Sequence, residues 1–247
     1  MKAFDDLINE TLTNFKPFSK KSFVYDENNL APLGEHNELI LQKETAYELG
    51  AGGYDSLSFL AVTQDKSIID KDEIILIGPD LNEIKTDCSY ARIVFLLVDD
   101  VEKNGPDSFY EILKNIEISK YNIAIKGFMI RASALTLREQ VRVSKEAIKN
   151  KLTFAQIGNQ FVYEFHKDPH VLEAKILFVT SSNMPYNELE FIANKSHERS
   201  EAYNHMLKDS VMNCKKCAWK PVCAEVDEMK EFHKKMVGKA KSMRKDK

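Results

Sequence analysis

The sequence predicts an α/β fold, with α+β as its variant, in which a mixed sheet is flanked by helices and followed by a small helical, metal-binding C-terminal lobe. Three observations predict it. Short apolar runs at Glu73–Ile77, Tyr90–Val98 and Val171–Thr180 have the length of strands, and the middle one is apolar on both faces, as a central strand requires. Segments of helical periodicity separate these runs. Three of the four cysteines then fall within ten residues, Cys214 to Cys223, beyond the last of the strands.

A chain of 247 residues can bury one substantial core, or one core with a satellite. Its formal charge of −3 gives no general reason to expect nucleic-acid binding. The N-terminus lacks the apolar stretch of a secretory signal, and the longest apolar run, Ile93–Val98, is far short of a membrane span. A cytoplasmic protein is the expectation, and clustered cysteines in that compartment favour metal over disulfides.

Phe4, Leu7, Ile8, Leu12 and Phe15 recur at helical spacing and predict an amphipathic helix stopped near Pro17. Residues 17–45 are mixed, so residues 1–44 read as a helix plus a wrapping segment. Glu48 to Tyr54 contains Gly50, Gly52 and Gly53, a flexible turn that can bring backbone near a ligand, without the order of a nucleotide-binding loop. Leu57–Val62 follows as a strand. After Tyr90–Val98, which ends in Asp99 and Asp100, Pro106 opens a helix with Phe109, Ile112, Leu113 and Ile116 on one face. Tyr121–Met129 is a further candidate strand.

Thr136 and Glu139 have the spacing of a capping box, which predicts a helix running to about Asn150. Thr153 and Gln156 repeat the device ahead of Ile157, Phe161, Val162 and Phe165. The α/β domain thus spans 45–184. Residues 186–211 and 225–240 are helical in pattern and make 185–247 the C-terminal lobe.

Two constellations carry chemistry. Cys214, Cys217 and Cys223 supply three soft anionic ligands at short spacing, which suits an iron–sulfur cluster or zinc. The spacing lacks the second cysteine pair of a zinc ribbon, so an iron–sulfur cluster is the expectation, with zinc or unliganded thiols as the alternatives. His233 and His205 lie within reach as a fourth ligand, as does Cys88 if the fold delivers it. Cys88 otherwise reads as a partly buried neutral thiol. Arg138, Arg142 and Lys145 would share one face of the expected helix, with Arg131 just upstream, an array suited either to phosphate or to pairing with Glu139 and Glu146. From Lys230 onward, eight Lys or Arg face only Glu231 and Asp246, which suits a solvated tail or an acidic partner.

The blocks Glu73–Asp80, Gly127–Met129, Arg142–Ala147, Leu152–Gly158 and Lys175–Thr180 occur in an order that resembles the beta subunit of the CO dehydrogenase/acetyl-CoA synthase complex. Glu48–Phe59 is similar to that family's glycine-containing opening. The resemblance covers about residues 45–182, the family's middle domain, and the cysteine segment resembles the start of its active-site domain. It implies an iron–sulfur protein of one-carbon and corrinoid metabolism that docks a corrinoid iron–sulfur protein or a ferredoxin-like redox partner. By the same resemblance CoA is a candidate ligand of Arg142, with Arg131 and Arg138 in a segment of different length, and His233 stands where the family has a fourth cysteine. The Cys-Gly-Cys that holds nickel has no counterpart, so complete acetyl-CoA synthesis is not expected. An enzyme whose cluster has an open iron, with Arg138, Arg142 and Asp99 around the substrate, and a zinc-stabilised interaction module are the alternative readings.

Overall fold

A computed structural model describes residues 2–34, 40, 42–99, 106–132, 137–208 and 217–235. Among them the chain forms a mixed α/β fold with two sheets flanked by helices. The larger sheet contains β1 (Lys21–Val24), β3 (Ser56–Thr63), β4 (Glu73–Ile77), β5 (Tyr90–Val98) and β8 (Val171–Val179), in the order β1-β4-β8-β5-β3. Its pairings alternate in sense: β1–β4 and β8–β5 are antiparallel, whereas β4–β8 and β5–β3 are parallel. Every residue of β5 is buried, which explains its apolar run.

The smaller sheet was not expected. It is antiparallel, in the order β2 (Ala46–Leu49), β7 (Glu139–Ser144), β6 (Phe128–Ala132). Here the structure corrects the helix expected from Thr136 to Asn150. Glu139, Val141 and Val143 are buried while Gln140, Arg142 and Ser144 are half-buried, a period of two that only a strand produces. The β-branched valines suit that conformation. Helix begins only at α3 (Lys145–Lys149), where Ser144 supplies the cap by accepting from the Glu146 amide. The strand expected at Tyr121–Met129 also shifts. Lys120–Asn122 is a 3-10 turn, and Gly34 and Lys126 amides bond across a loop to Ala124 and Pro32 carbonyls before β6 starts.

The remaining helices lie where periodicity put them: α1 (Asp5–Asn14), α2 (Pro106–Ser119), α4 (Phe154–Phe165) and α5 (Tyr186–Lys208). Thr153 and Gln156 form the expected capping box. α4 covers the sheet face that carries Ile74, Arg92 and Phe178, with Phe161 against Phe178 at 6.4 Å between ring centroids. α5 packs on β3 and α1. The short α6 (Lys220–Glu225) and the helix at 227–235 rest against α5, where Phe232 meets the Tyr203 ring edge-on at 5.3 Å. One continuous apolar core runs from Phe4 and Leu7 through both sheets to Met206 and Met229. No helix among the described residues is long and apolar enough to cross a membrane.

Candidate functional site

The turn between β2 and β3 joins the two sheets, and its geometry depends on Gly50. That residue has φ +72°, and a Cβ there would lie 2.8 Å from Ser56 Oγ and 2.9 Å from the Glu139 carbonyl, so only glycine fits. Arg138 reaches over this turn from the start of β7. Its Nη2 donates to the Tyr54 carbonyl at 2.9 Å and the Gly50 carbonyl at 3.3 Å. The result is an open cleft of about 210 Å³. Gly52, Gly53, Asp55 and Arg138 line one side, and Tyr186 and Glu190 of α5 line the other. Burial, with the Asp55 charge, pushes the Tyr186 hydroxyl far up, so it remains a neutral phenol.

The basic residues do not form a helical face. Arg142, in β7, stands opposite Glu48 of β2 and bonds to it through Nε at 2.6 Å, and its Nη1 donates to the Ile40 carbonyl at 2.8 Å. Arg131 of β6 and Lys43 also approach Glu48, at 3.8 and 3.6 Å. Burial would raise the Glu48 carboxyl, but the Arg142 hydrogen bond and charge outweigh it and hold Glu48 below the usual carboxylate range. Lys145 is elsewhere: its Nζ donates to the Glu44 carbonyl at 2.8 Å and lies 5.0 Å above the Tyr47 ring. The expected quartet therefore divides into Arg131 and Arg142 around one carboxylate, Arg138 at the cleft, and Lys145 on an aromatic ring.

Glu139, expected as a capping residue, is buried against Arg92 of β5. Arg92 Nε donates to Glu139 Oε1 at 2.7 Å, and Nη2 bonds to Oε2 and, at 3.3 Å, to Ser58 Oγ. The guanidinium also stacks on the Phe161 ring at 4.7 Å. Burial would raise the Glu139 carboxyl, yet the Arg92 charge and bonds hold it low. Lys120 is close enough for desolvation to lower its amine, with Glu139 opposing that effect and Arg92 adding to it. A single arginine inside the apolar run Tyr90–Val98 was the sequence signal for this pair.

Of the cysteine set, Cys214 lies outside the described residues. Cys217 and Cys223 are half-buried and outside any disulfide, Cys217 ahead of α6 and Cys223 at the end of its first turn. The Lys220 amide donates to the Cys217 carbonyl at 3.3 Å and the Cys223 amide to the Trp219 carbonyl at 3.0 Å, so the chain between them is tightly wound. Trp219, Val222 and Cys223 pack against the core. His233 lies half-buried in the following helix. Among the described residues no three His, Cys, Asp or Glu side chains converge as a metal site. Cys88 belongs to another region: its neighbours include Asp87 and Tyr186 at the start of α5, whereas α6 contacts Lys195 nine residues further along that helix, about 13 Å away. The Asp99 carboxylate accepts from His170, Nδ1 to Oδ1 2.9 Å, and its carbonyl accepts from Gln64, which makes it a strand-end anchor distant from Arg138 in sequence.

No protein-family model matches this chain, and no curated protein matches it. The likeness to acetyl-CoA synthase rests on the sequence blocks alone.

Proposed function

We propose that this chain is an acetyl-CoA synthase-like accessory protein of one-carbon and corrinoid metabolism, holding a [4Fe–4S] cluster in its C-terminal lobe and docking a redox or methyl-carrier partner. One observation carries the reading: two reduced thiols, Cys217 and Cys223, flank a single helical turn at the edge of the core, with Trp219 packed between them in sequence. Thiolates at such short spacing, partly shielded by an aromatic ring, suit a cluster. Cys214 would be the third ligand, and His233 the fourth. The cluster would supply one-electron transfer, and a histidine ligand would raise its potential relative to four thiolates.

Within the same reading, CoA or another phosphate-bearing ligand meets the outer face of the smaller sheet. There Lys43, Arg131 and Arg142 surround the Glu48 carboxylate, with Asp87 3.9 Å from Lys43 as a second acid, an excess of one positive charge favourable to an anion.

Anaerobic purification tests the cluster. The expected protein is brown, with about four iron and four sulfide per chain, and an EPR signal on reduction. Cys217→Ser and Cys223→Ser lose most of the iron, whereas Cys88→Ser keeps it. A colourless protein with one zinc per chain would favour the interaction-module reading, and a chain with neither metal would end both.

A further inference from the structure

We infer that the cleft at the β2–β3 turn is a binding site for a small free α-amino acid. The inference goes beyond the metal lobe and holds or fails whatever the cysteines carry.

The charges in the cleft are of both signs and come from separate elements. Arg138 brings a guanidinium, fixed in place by the Tyr54 and Gly50 carbonyls at 2.9 and 3.3 Å. Asp55 comes from the turn itself and Glu190 from the second turn of α5. A purely anionic ligand would meet two carboxylates, and a purely cationic one would meet the arginine. A zwitterion satisfies both sets, its carboxylate on Arg138 and its ammonium between Asp55 and Glu190. Discrimination then follows from mismatch, since a ligand lacking either charge leaves a like charge unopposed.

Size and surface agree with that class. The volume of about 210 Å³ admits several water molecules' worth of ligand, the scale of a small amino acid. Leu57, buried at the floor, offers apolar contact for a short side chain, and Asn187 offers an amide. Tyr186 donates to the Ser181 carbonyl at 3.2 Å, which fixes its ring as a wall. Gly53 needs no positive φ, and a Cβ there would have no neighbour within 4 Å, so neither conformation nor packing requires a glycine at that place. Its missing side chain leaves the cleft wall as bare backbone, accessible to a ligand.

The test uses the full chain and ligand-observed saturation-transfer NMR, with titration calorimetry on any hit. The probes are glycine, alanine, serine, valine and aspartate, each compared with its N-acetyl form and with the primary amine that lacks its carboxylate. At least one amino acid binds saturably, with a dissociation constant in the range of about 10 μM to 1 mM. Both analogues of that amino acid bind at least about tenfold more weakly, as do the variants Glu190→Gln and Arg138→Gln. Thermal melts accompany each variant. If Arg138→Gln loosens the turn, Glu190→Gln, exposed on α5, decides alone. Absence of any binding up to about 10 mM, equal binding of either analogue, or unchanged binding by Glu190→Gln overturns the inference.

Discussion

The Arg92 guanidinium and the Glu139 carboxylate, 4% and 1% exposed, form an ion pair that ties β5 of the larger sheet to β7 of the smaller one. Each is isolated from water, so each depends on the other. Glu139→Gln, which keeps the shape but removes the charge, should cost about 3–5 kcal/mol by leaving Arg92 uncompensated. The pair Arg92→Met with Glu139→Leu should cost less than either single change, because both desolvation penalties disappear together. Urea unfolding of the wild type, Glu139→Gln, Arg92→Met, Glu139→Leu and the double variant decides it. Additive losses in the double variant would show that the two side chains act independently.

Cys88 is predicted to be inert in the native state. Burial, with Asp87 beside it, pushes the thiol up to about 11. At pH 7.5 only about one such thiol in a few thousand is ionised, and the thiolate is the nucleophile. Iodoacetamide followed by mass spectrometry should label Cys88 about a hundredfold more slowly than a free cysteine peptide, with normal labelling restored in denaturant. Labelling of the folded protein at the peptide's rate would contradict the raised thiol of this half-buried position.

Much of the fold was legible because its signals are local. The boundaries of β4 and β5, the start of α2 at Pro106 and the Thr153 cap follow from runs and punctuation within a few residues. The smaller sheet was hidden for a physical reason. Its strands have four to six residues, and Arg142 of β7 falls at helical spacing from Arg138 and Lys145, which flank the strand. Pairing with β6 on one side and with β2, nearly a hundred residues earlier, on the other decides between the periods. The candidate cleft was half-visible. Gly52, Gly53 and Arg138 stood out in the sequence, but Asp55, Tyr186 and Glu190 carry no motif and become a site only when the turn and α5 meet.

Gly158 shows a packing requirement of a different kind. It lies in α4, and a Cβ there would come 2.5 Å from Cγ1 and 2.7 Å from Cγ2 of Ile74, which is fully buried in β4. A β-branched neighbour on a central strand cannot rotate away. Gly158→Ala should gain about 1 kcal/mol of helix propensity and lose more to overpacking, about 1–3 kcal/mol. Ile74→Ala, which removes both γ carbons, should therefore cost less when added to Gly158→Ala than when made in the wild type. Chemical denaturation of the two single variants and the double one measures it, and a stabilised Gly158→Ala would mean that the helix stands further from the sheet.

His166 closes α4 and couples the fold to pH. Its Nε2 lies 2.9 Å from Asp72 Oδ2, and the other oxygen of Asp72 accepts from the Ala174 amide at 2.7 Å, so the pair pins the helix end to β8. The hydrogen bond to Asp72 raises the His166 imidazole above its usual value; burial opposes the shift, and the Asp72 and Glu173 charges reinforce it. A helix C-terminus also favours the protonated ring. Because the folded value exceeds the unfolded one of about 6.5, the stabilisation is complete below that pH. It is lost as pH rises through the folded value. His166→Gln removes this titration at a cost under about 1 kcal/mol at low pH, since the pair is partly exposed. The quantity to follow is the difference in urea midpoint between wild type and variant from pH 6 to pH 9, in which carboxylates common to both proteins cancel to first order. That difference should shrink as pH rises, and a difference that grows instead would assign His166 the opposite sign and remove Asp72 as its stabilising partner.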